Sequence, residues 1–245
     1  MRIICSLIAA LIITASTALA SPELHINIPE YALRLVENGQ IVKTYSIAVG
    51  TPYEQTPVGS FQIFEKQTYP TWFPGSNFTD RTPVPPGPDN PLGTRWMEFK
   101  PNYGIHGTNK GWDISYPVSG GCIRMQDTDA RELYEKVPIG TPVLISYQTL
   151  NLIEKQDGLY VSIMPDIYKR QSNTPEQLML LFTAYAERYT LIQNASAPFK
   201  AEYDETVEIK IAVPNLQPNL PSHSLPVKEI PKTIKSGSEK TNKKK

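Results

Sequence analysis

Along most of this chain, apolar and polar residues alternate in a way that predicts strands rather than helices. ELHINI sets Leu24, Ile26 and Ile28 on one face. YALRLVENGQIVKTYSIAVG predicts a hairpin, because aliphatic runs flank Asn38-Gly39, a pair that takes the positive φ angles of a two-residue turn. TPVGSFQIFEKQ predicts a Pro-Gly turn and one strand, with Phe61 and Ile63 facing one way. TRWMEFK and TPVLIS predict two more strands. Between Tyr69 and Gly93 proline and glycine dominate around Trp72 and Phe73, so the segment is expected to be a long functional loop or a lid. One helix is predicted in this half, DTDARELYEKVPIG. Asp127 or Thr128 would cap it, Asp129 and Glu132 suit the positive end of its dipole, and Leu133 and Val137 share a face. Pro138 and Gly140 end it.

The pattern changes beyond Tyr147. GLYVSIMPDIY contains a short strand, and TVEIKIAV is a last strand candidate. TPEQLMLLFTAYAERYTLI has helical spacing, with Leu178, Leu181, Phe182 and Tyr185 in a packing stripe and Thr174-Pro175-Glu176 at its start. From Pro214 on, proline and lysine dominate and a disordered tail is expected. At the other end a basic Met1-Arg2, an apolar run to Ala20, and small residues at Ala18 and Ala20 predict a cleaved secretory signal peptide. An uncleaved membrane anchor is the alternative, since about 18 apolar residues can just span a bilayer. The expected organisation is residues 1–20 signal peptide, 21–147 a mainly β domain with one helix, 148–213 a small accessory region, and 214–245 a Pro/Lys-rich tail.

Charge narrows the function classes. The 24 basic and 24 acidic residues cancel, which leaves no electrostatic footprint for nucleic acid. The basic end KSGSEKTNKKK is a solvated tail, or a weak attraction to an anionic envelope surface. A monomer is the default expectation. Export favours disulfides, yet once the signal peptide and its Cys5 are removed, Cys122 is the only cysteine. It can be an inert buried residue, half of an intermolecular disulfide, or a thiol kept for chemistry.

Its neighbours bear on that choice. In GIHGTNKGWDISYPVSGGCIRMQD, Gly104 to Asp127, His106 follows a strand in a turn closed by Gly107, and Cys122 lies just before the helix. A thiol nucleophile needs a base such as an imidazole to take its proton. A backbone carbonyl near Gly107 is the candidate to orient that ring. Gly120 and Gly121 allow a tight turn with bare amides, and the N–H groups of Gly121 and Cys122 are candidates for an oxyanion hole. Arg124 either holds a substrate carboxylate bidentately or forms an ion pair with a helix acid. Ser119 bonds the turn or the substrate, the turn being favoured. Trp112 and Tyr103 are candidates to line a substrate groove, and Trp96 to pack in the core. One Cys and one His do not fill a zinc shell, and His25 and His223 stand in unrelated contexts, so no metal is expected. No Gly-x-Ser-x-Gly elbow, Walker-type loop or other cofactor motif is present.

IHGT followed by SGGCIRM, with TPVGSFQI and VPPGPDNPLGTRWMEF upstream, resembles the bacterial L,D-transpeptidase (YkuD-type) catalytic domain over roughly Glu23 to Tyr147. The resemblance implies a two-sheet β-sandwich with a helix after the catalytic cysteine, followed here by a small α+β extension. It implies an enzyme of the periplasm or cell envelope that acts on peptidoglycan stem peptides. The thiol attacks the carbonyl of the third, L-centred residue of a donor tetrapeptide, a terminal D-alanine leaves, and an amine acceptor resolves the thioester. The product is a 3-3 cross-link or a wall-anchored protein. Position by position, Cys122 matches the nucleophile, His106 the base, Gly107 the orienting carbonyl, and Gly121 with Cys122 the oxyanion region. Carbapenem β-lactams are the expected acylating inhibitors. Many members carry histidine where this chain has Gly120 and asparagine where it has Arg124, so acceptor contacts and pKa tuning are not carried over. Hydrolysis by the same dyad (an L,D-carboxypeptidase or amidase) and a non-catalytic wall-binding module are the alternative readings.

Overall fold

The computed structural model describes residues 21–76, 78–196, 199 and 204–215. The expected signal peptide and nearly all of the expected tail lie outside them. The alternating stretches form β1 (Glu23–Asn27), β2 (Ala32–Glu37), β3 (Gln40–Gly50), β4 (Gly59–Gln62), β5 (Glu65–Thr68), β6 (Arg95–Lys100), β7 (Tyr103–His106), β8 (Pro117–Ser119) and β9 (Ile123–Met125). Helix α1 (Asp127–Lys136) and β10 (Pro142–Ser146) follow. The strand order is β4-β10-β1-β2-β3-β9-β7-β6-β5, with β8 paired to β3. The 11-residue β3 belongs to both halves of this path. It pairs with β2 through its first part and with β9 through Ile47 and Ala48, which joins the two expected sheets along one strand. Leu24, Ile26, Leu33 and Leu35 from one half meet Met97, Phe99, Ile105, Ile123 and Met125 from the other. Ala130, Leu133 and Val137 of α1 pack into the same core.

The β2–β3 hairpin turns at Asn38 and Gly39, both at positive φ (54° and 73°), as their chemistry predicts. The single strand expected across TPVGSFQIFEKQ is two. Phe61 pairs with Val143 of β10, but Phe64 N–H already donates to Glu98 O of β6, so the chain changes sheet at Ile63, which is fully buried. The proline-rich stretch after β5 is organised around buried Asn90. Its amide donates to the carbonyls of Pro70, Val84 and Pro85, and its carbonyl accepts from Leu92 N–H. Helix α1 starts where expected but without the expected cap. Asp127 instead accepts from the N–H and hydroxyl of Thr94, at 2.7 and 3.0 Å, and so ties the helix start to the strand leading to the site.

Beyond Tyr147 come β11 (Leu150–Lys155), β12 (Gly158–Ile163), α2 (Pro175–Phe182), β13 (Tyr189–Leu191) and β14 (Val207–Pro214). The four strands make a second sheet, ordered β11-β12-β14-β13. Its own core holds Leu159, Val161, Ile163, Leu178, Phe182 and Ile211. Thr174 caps α2 by accepting from Gln177 N–H, but the helix is shorter than its pattern predicts. Tyr189–Leu191 is extended because it pairs with β14. Tyr168, between β12 and α2, packs into the first core rather than the second. Among the described residues no helix is long and apolar enough to cross a membrane.

Candidate active site

Parallel pairing of β7 and β9 brings the two candidate residues together. Ile105 lies beside Ile123 and His106 beside Arg124. Both isoleucines enter the core, so alternation turns Gly104, His106, Cys122 and Arg124 to the opposite face. Cys122 and His106 are thus one diagonal step apart on one sheet face, despite sixteen residues of intervening chain. The Cys122 thiol is half-buried and its S–H points to Asn102 O at 3.7 Å.

His106 is only 3% exposed. Its Nδ1 lies 2.6 Å from the carbonyl oxygen of Gly107. A carbonyl can only accept, so Nδ1 carries the proton and Nε2 keeps a free lone pair. The Trp96 indole stacks on the ring, centroids 5.6 Å apart and planes at 27°. The tryptophan expected in the core therefore forms one wall of the site. It also lies over Gly104, where an added Cβ would come within 2.6 Å of the indole. Glycine is required there for the stack to exist.

The electrostatics keep both groups neutral at rest. Burial, then the Arg124 charge, pushes the His106 pKa down to about 3 against the weaker opposing pull of the Gly107 carbonyl. Burial pushes the Cys122 thiol up, and the Glu98 carboxylate adds to this. The Gly104 N–H and the Arg124 guanidinium work the other way. Arg124 thus favours loss of a proton from both groups.

In the turn before Cys122, Ser119 takes the favoured of its two alternatives, and one expected oxyanion amide is already engaged. Ser119 is buried, its Oγ donating to Cys122 O at 2.5 Å and accepting from Gly121 N–H at 3.1 Å. A side chain enclosed in this way braces the turn and does not face substrate. The same hydroxyl engages the Gly121 amide, which leaves the Cys122 N–H as the remaining backbone candidate for an oxyanion hole. Gly121 is at φ 102°, and a Cβ there would come within 2.6 Å of the Tyr103 ring. Tyr103 therefore lies directly against the turn. Arg124 donates through Nη1 to Asp113 Oδ2 at 2.8 Å, both largely buried. The ion-pair alternative is the observed one, with the acid on the loop before β8 rather than on α1. Trp112 stands beside that aspartate, 77% exposed. Asn102, Asp113 and the stacking role of Trp96 had no signal in sequence, since each depends on register between strands. Among the described residues no group of three or more His, Cys, Asp and Glu could hold a metal ion.

Comparison with known proteins bears on this site. The chain is 43% identical over 115 residues to the YkuD protein of Bacillus licheniformis, a match that takes in 46% of this chain and 59% of that one. It is 36% identical over 127 residues to the ErfK/SrfK protein of Escherichia coli, covering 48% and 41%. The chain thus spans between about two fifths and three fifths of these relatives' lengths. Among solved structures, an L,D-transpeptidase from Mycobacterium smegmatis aligns with 18% identity and a TM-score of 0.46, over 52% of this chain and 59% of that one. The model of the YkuD L,D-transpeptidase catalytic domain matches residues 21–145, which include His106, Cys122 and their turns. On that match, over half of its length, the chain belongs to the YkuD family of L,D-transpeptidase catalytic domains.

Proposed function

We propose that the protein is a cysteine-dependent acyltransferase acting on peptidoglycan stem peptides outside the cytoplasm, with Cys122 as nucleophile and His106 as general base. The observation that carries the reading is the shared face of β7 and β9, where a thiol and an imidazole with a free Nε2 stand one diagonal apart. As Sγ bonds to the carbonyl carbon of the third residue of a donor tetrapeptide, its proton passes to His106 Nε2. The oxyanion is met by the Cys122 N–H. Collapse breaks the C–N bond to the terminal D-alanine, whose nitrogen takes the proton from Nε2. An acceptor amine then attacks the thioester carbonyl and gives its proton to Nε2; the C–S bond breaks, and Sγ takes that proton back as the thiol. In this scheme Gly107 O holds the imidazole tautomer throughout. Trp112 and Tyr103 border the groove, and Arg124, paired with Asp113, acts on the dyad by its charge. Residues 1–20 have the features of an export signal, which fits a wall substrate and the presence of an unpaired cysteine.

Intact-protein mass spectrometry with a carbapenem tests the nucleophile. Wild type is expected to gain one covalent adduct and Cys122→Ala none; an adduct in the variant would overturn the assignment. Incubation with purified tetrapeptide muropeptides tests the reaction. Cross-linked dimers indicate transfer, and tripeptides alone indicate hydrolysis.

A further inference from the structure

The chain beyond the matched domain reaches back to the catalytic turn. Tyr168 enters the first core, and its hydroxyl donates to Gly50 O at 2.9 Å and accepts from Thr56 N–H at 3.2 Å. Gly50 and Thr56 are the two ends of a loop, also joined by Gly50 N–H donating to Thr56 Oγ1 at 2.8 Å. One buried hydroxyl therefore spans the neck of that loop. Arg170 holds its outer edge, donating through Nη2 to Gln55 Oε1 at 2.6 Å. The guanidinium lies over the Tyr147 and Tyr168 rings at 4.4 and 5.3 Å, and those rings stack at 5.2 Å. Asp166 locks the group by accepting from the Tyr147 hydroxyl at 2.6 Å and from Arg170 N–H at 3.0 Å.

The far side of the loop is the wall of the catalytic turn. Thr51 N–H donates to Ser119 O at 2.9 Å. Gln55 O lies so close to Gly121 that an added Cβ would be 3.2 Å away. The Glu54 carboxylate faces Gly120, 3.6 Å from where a Cβ would stand. Residues 51–58 contain no helix or strand, so tertiary bonds of this kind fix where they lie.

We propose that Tyr168 and Arg170, which lie outside the matched catalytic domain, are positioning residues for the Cys122 chemistry: they fix the loop from Gly50 to Thr56, and the loop fixes the turn that presents the thiol. The inference rests on the reading of Cys122 as the nucleophile. Its physical basis is the steep dependence of acyl transfer on placement, where about 1 Å of displacement can lower the rate by about a hundredfold.

The test uses the full chain as wild type, Tyr168→Phe, Arg170→Ala and Arg170→Lys. Phenylalanine keeps the ring stack and core volume and removes only the bridging hydroxyl. Two rates are measured at 25 °C: acylation by a carbapenem, and alkylation by iodoacetamide, which needs an ionised thiol but no organised groove. Acylation is expected to fall about tenfold in Tyr168→Phe and Arg170→Ala, with partial recovery in Arg170→Lys, on the placement argument above. Alkylation and its pH profile stay within about twofold of wild type. A purely structural role would lower the melting temperature and leave both rates unchanged, which overturns the inference. Equal loss of both rates also overturns it, because ionisation of the thiol and not its placement would have changed. A wild-type protein that forms no adduct instead refutes the reading of Cys122.

Discussion

Acidification should unfold this protein through one imidazole. His106 is enclosed by Trp96 and set beside Arg124, and its pKa of about 3 in the folded chain returns to about 6.5 on unfolding. Between those values the unfolded chain binds one more proton than the folded one. Stability is therefore flat above the unfolded value and falls as the pH drops from about 6.5 towards about 3. At pH 4.5 the deficit is about two pH units, and after a small residual at pH 7 the difference between the two conditions is about 2–3 kcal/mol. The assay is urea unfolding of wild type and His106→Gln at both pH values. Glutamine does not titrate, so carboxylates common to both proteins cancel in the comparison. Wild type should lose about 2–3 kcal/mol more than the variant, read from midpoints at constant m-value. Parallel losses would refute the claim that the buried ring is held neutral by its surroundings.

Three further outcomes test the site. Gly104→Ala drives a methyl group into the Trp96 indole and should lower stability by about 1–3 kcal/mol in denaturant melts, with slower carbapenem acylation as the indole leaves His106. Unchanged acylation would show that the stack does not matter. Asp113→Ala leaves the largely buried Arg124 guanidinium without its anion and should cost about 2 kcal/mol by the same melts, where Asp113→Asn should cost less. Iodoacetamide alkylation of Cys122 should keep rising with pH past the ordinary thiol value of 9.0, because burial raises its pKa; a plateau below pH 8 would indicate a preformed thiolate.

The features that sequence made legible are local ones. The Asn38-Gly39 turn, the strand alternation and the start of α1 each depend on a few adjacent residues, and each stands where expected. The thiol and imidazole were legible as a chemical pair, and the register of β7 with β9 turns both to one sheet face. What escaped depends on register and on long-range return of the chain. Ile63 could not be seen to change sheets, because that follows from which strands lie on either side of it. Strand β11 was missed although Leu150 and Leu152 precede the turn at Gln156 and Asp157. Trp96 looked like core because its identity suits burial, and only its pairing opposite His106 makes it a wall of the site. Tyr168 and Arg170 lie far along the chain from the loop they hold, in a segment with no motif of its own.

The same packing that makes the dyad legible in the fold constrains how it can work. Burial holds the thiol above its ordinary value and the imidazole well below its own, so moving a proton from Sγ to Nε2 in the resting site is uphill. In the proposed reaction the proton transfer therefore accompanies attack on the donor carbonyl rather than preceding it. That fits a site where Gly107 O holds the accepting nitrogen ready while Trp96 and Arg124 keep the ring unprotonated. It also gives placement more weight than ionisation. A thiol that is not already charged reacts only when carbonyl, sulfur and imidazole align together, so under the proposed function the walls that align them govern the rate as much as the two reacting groups do.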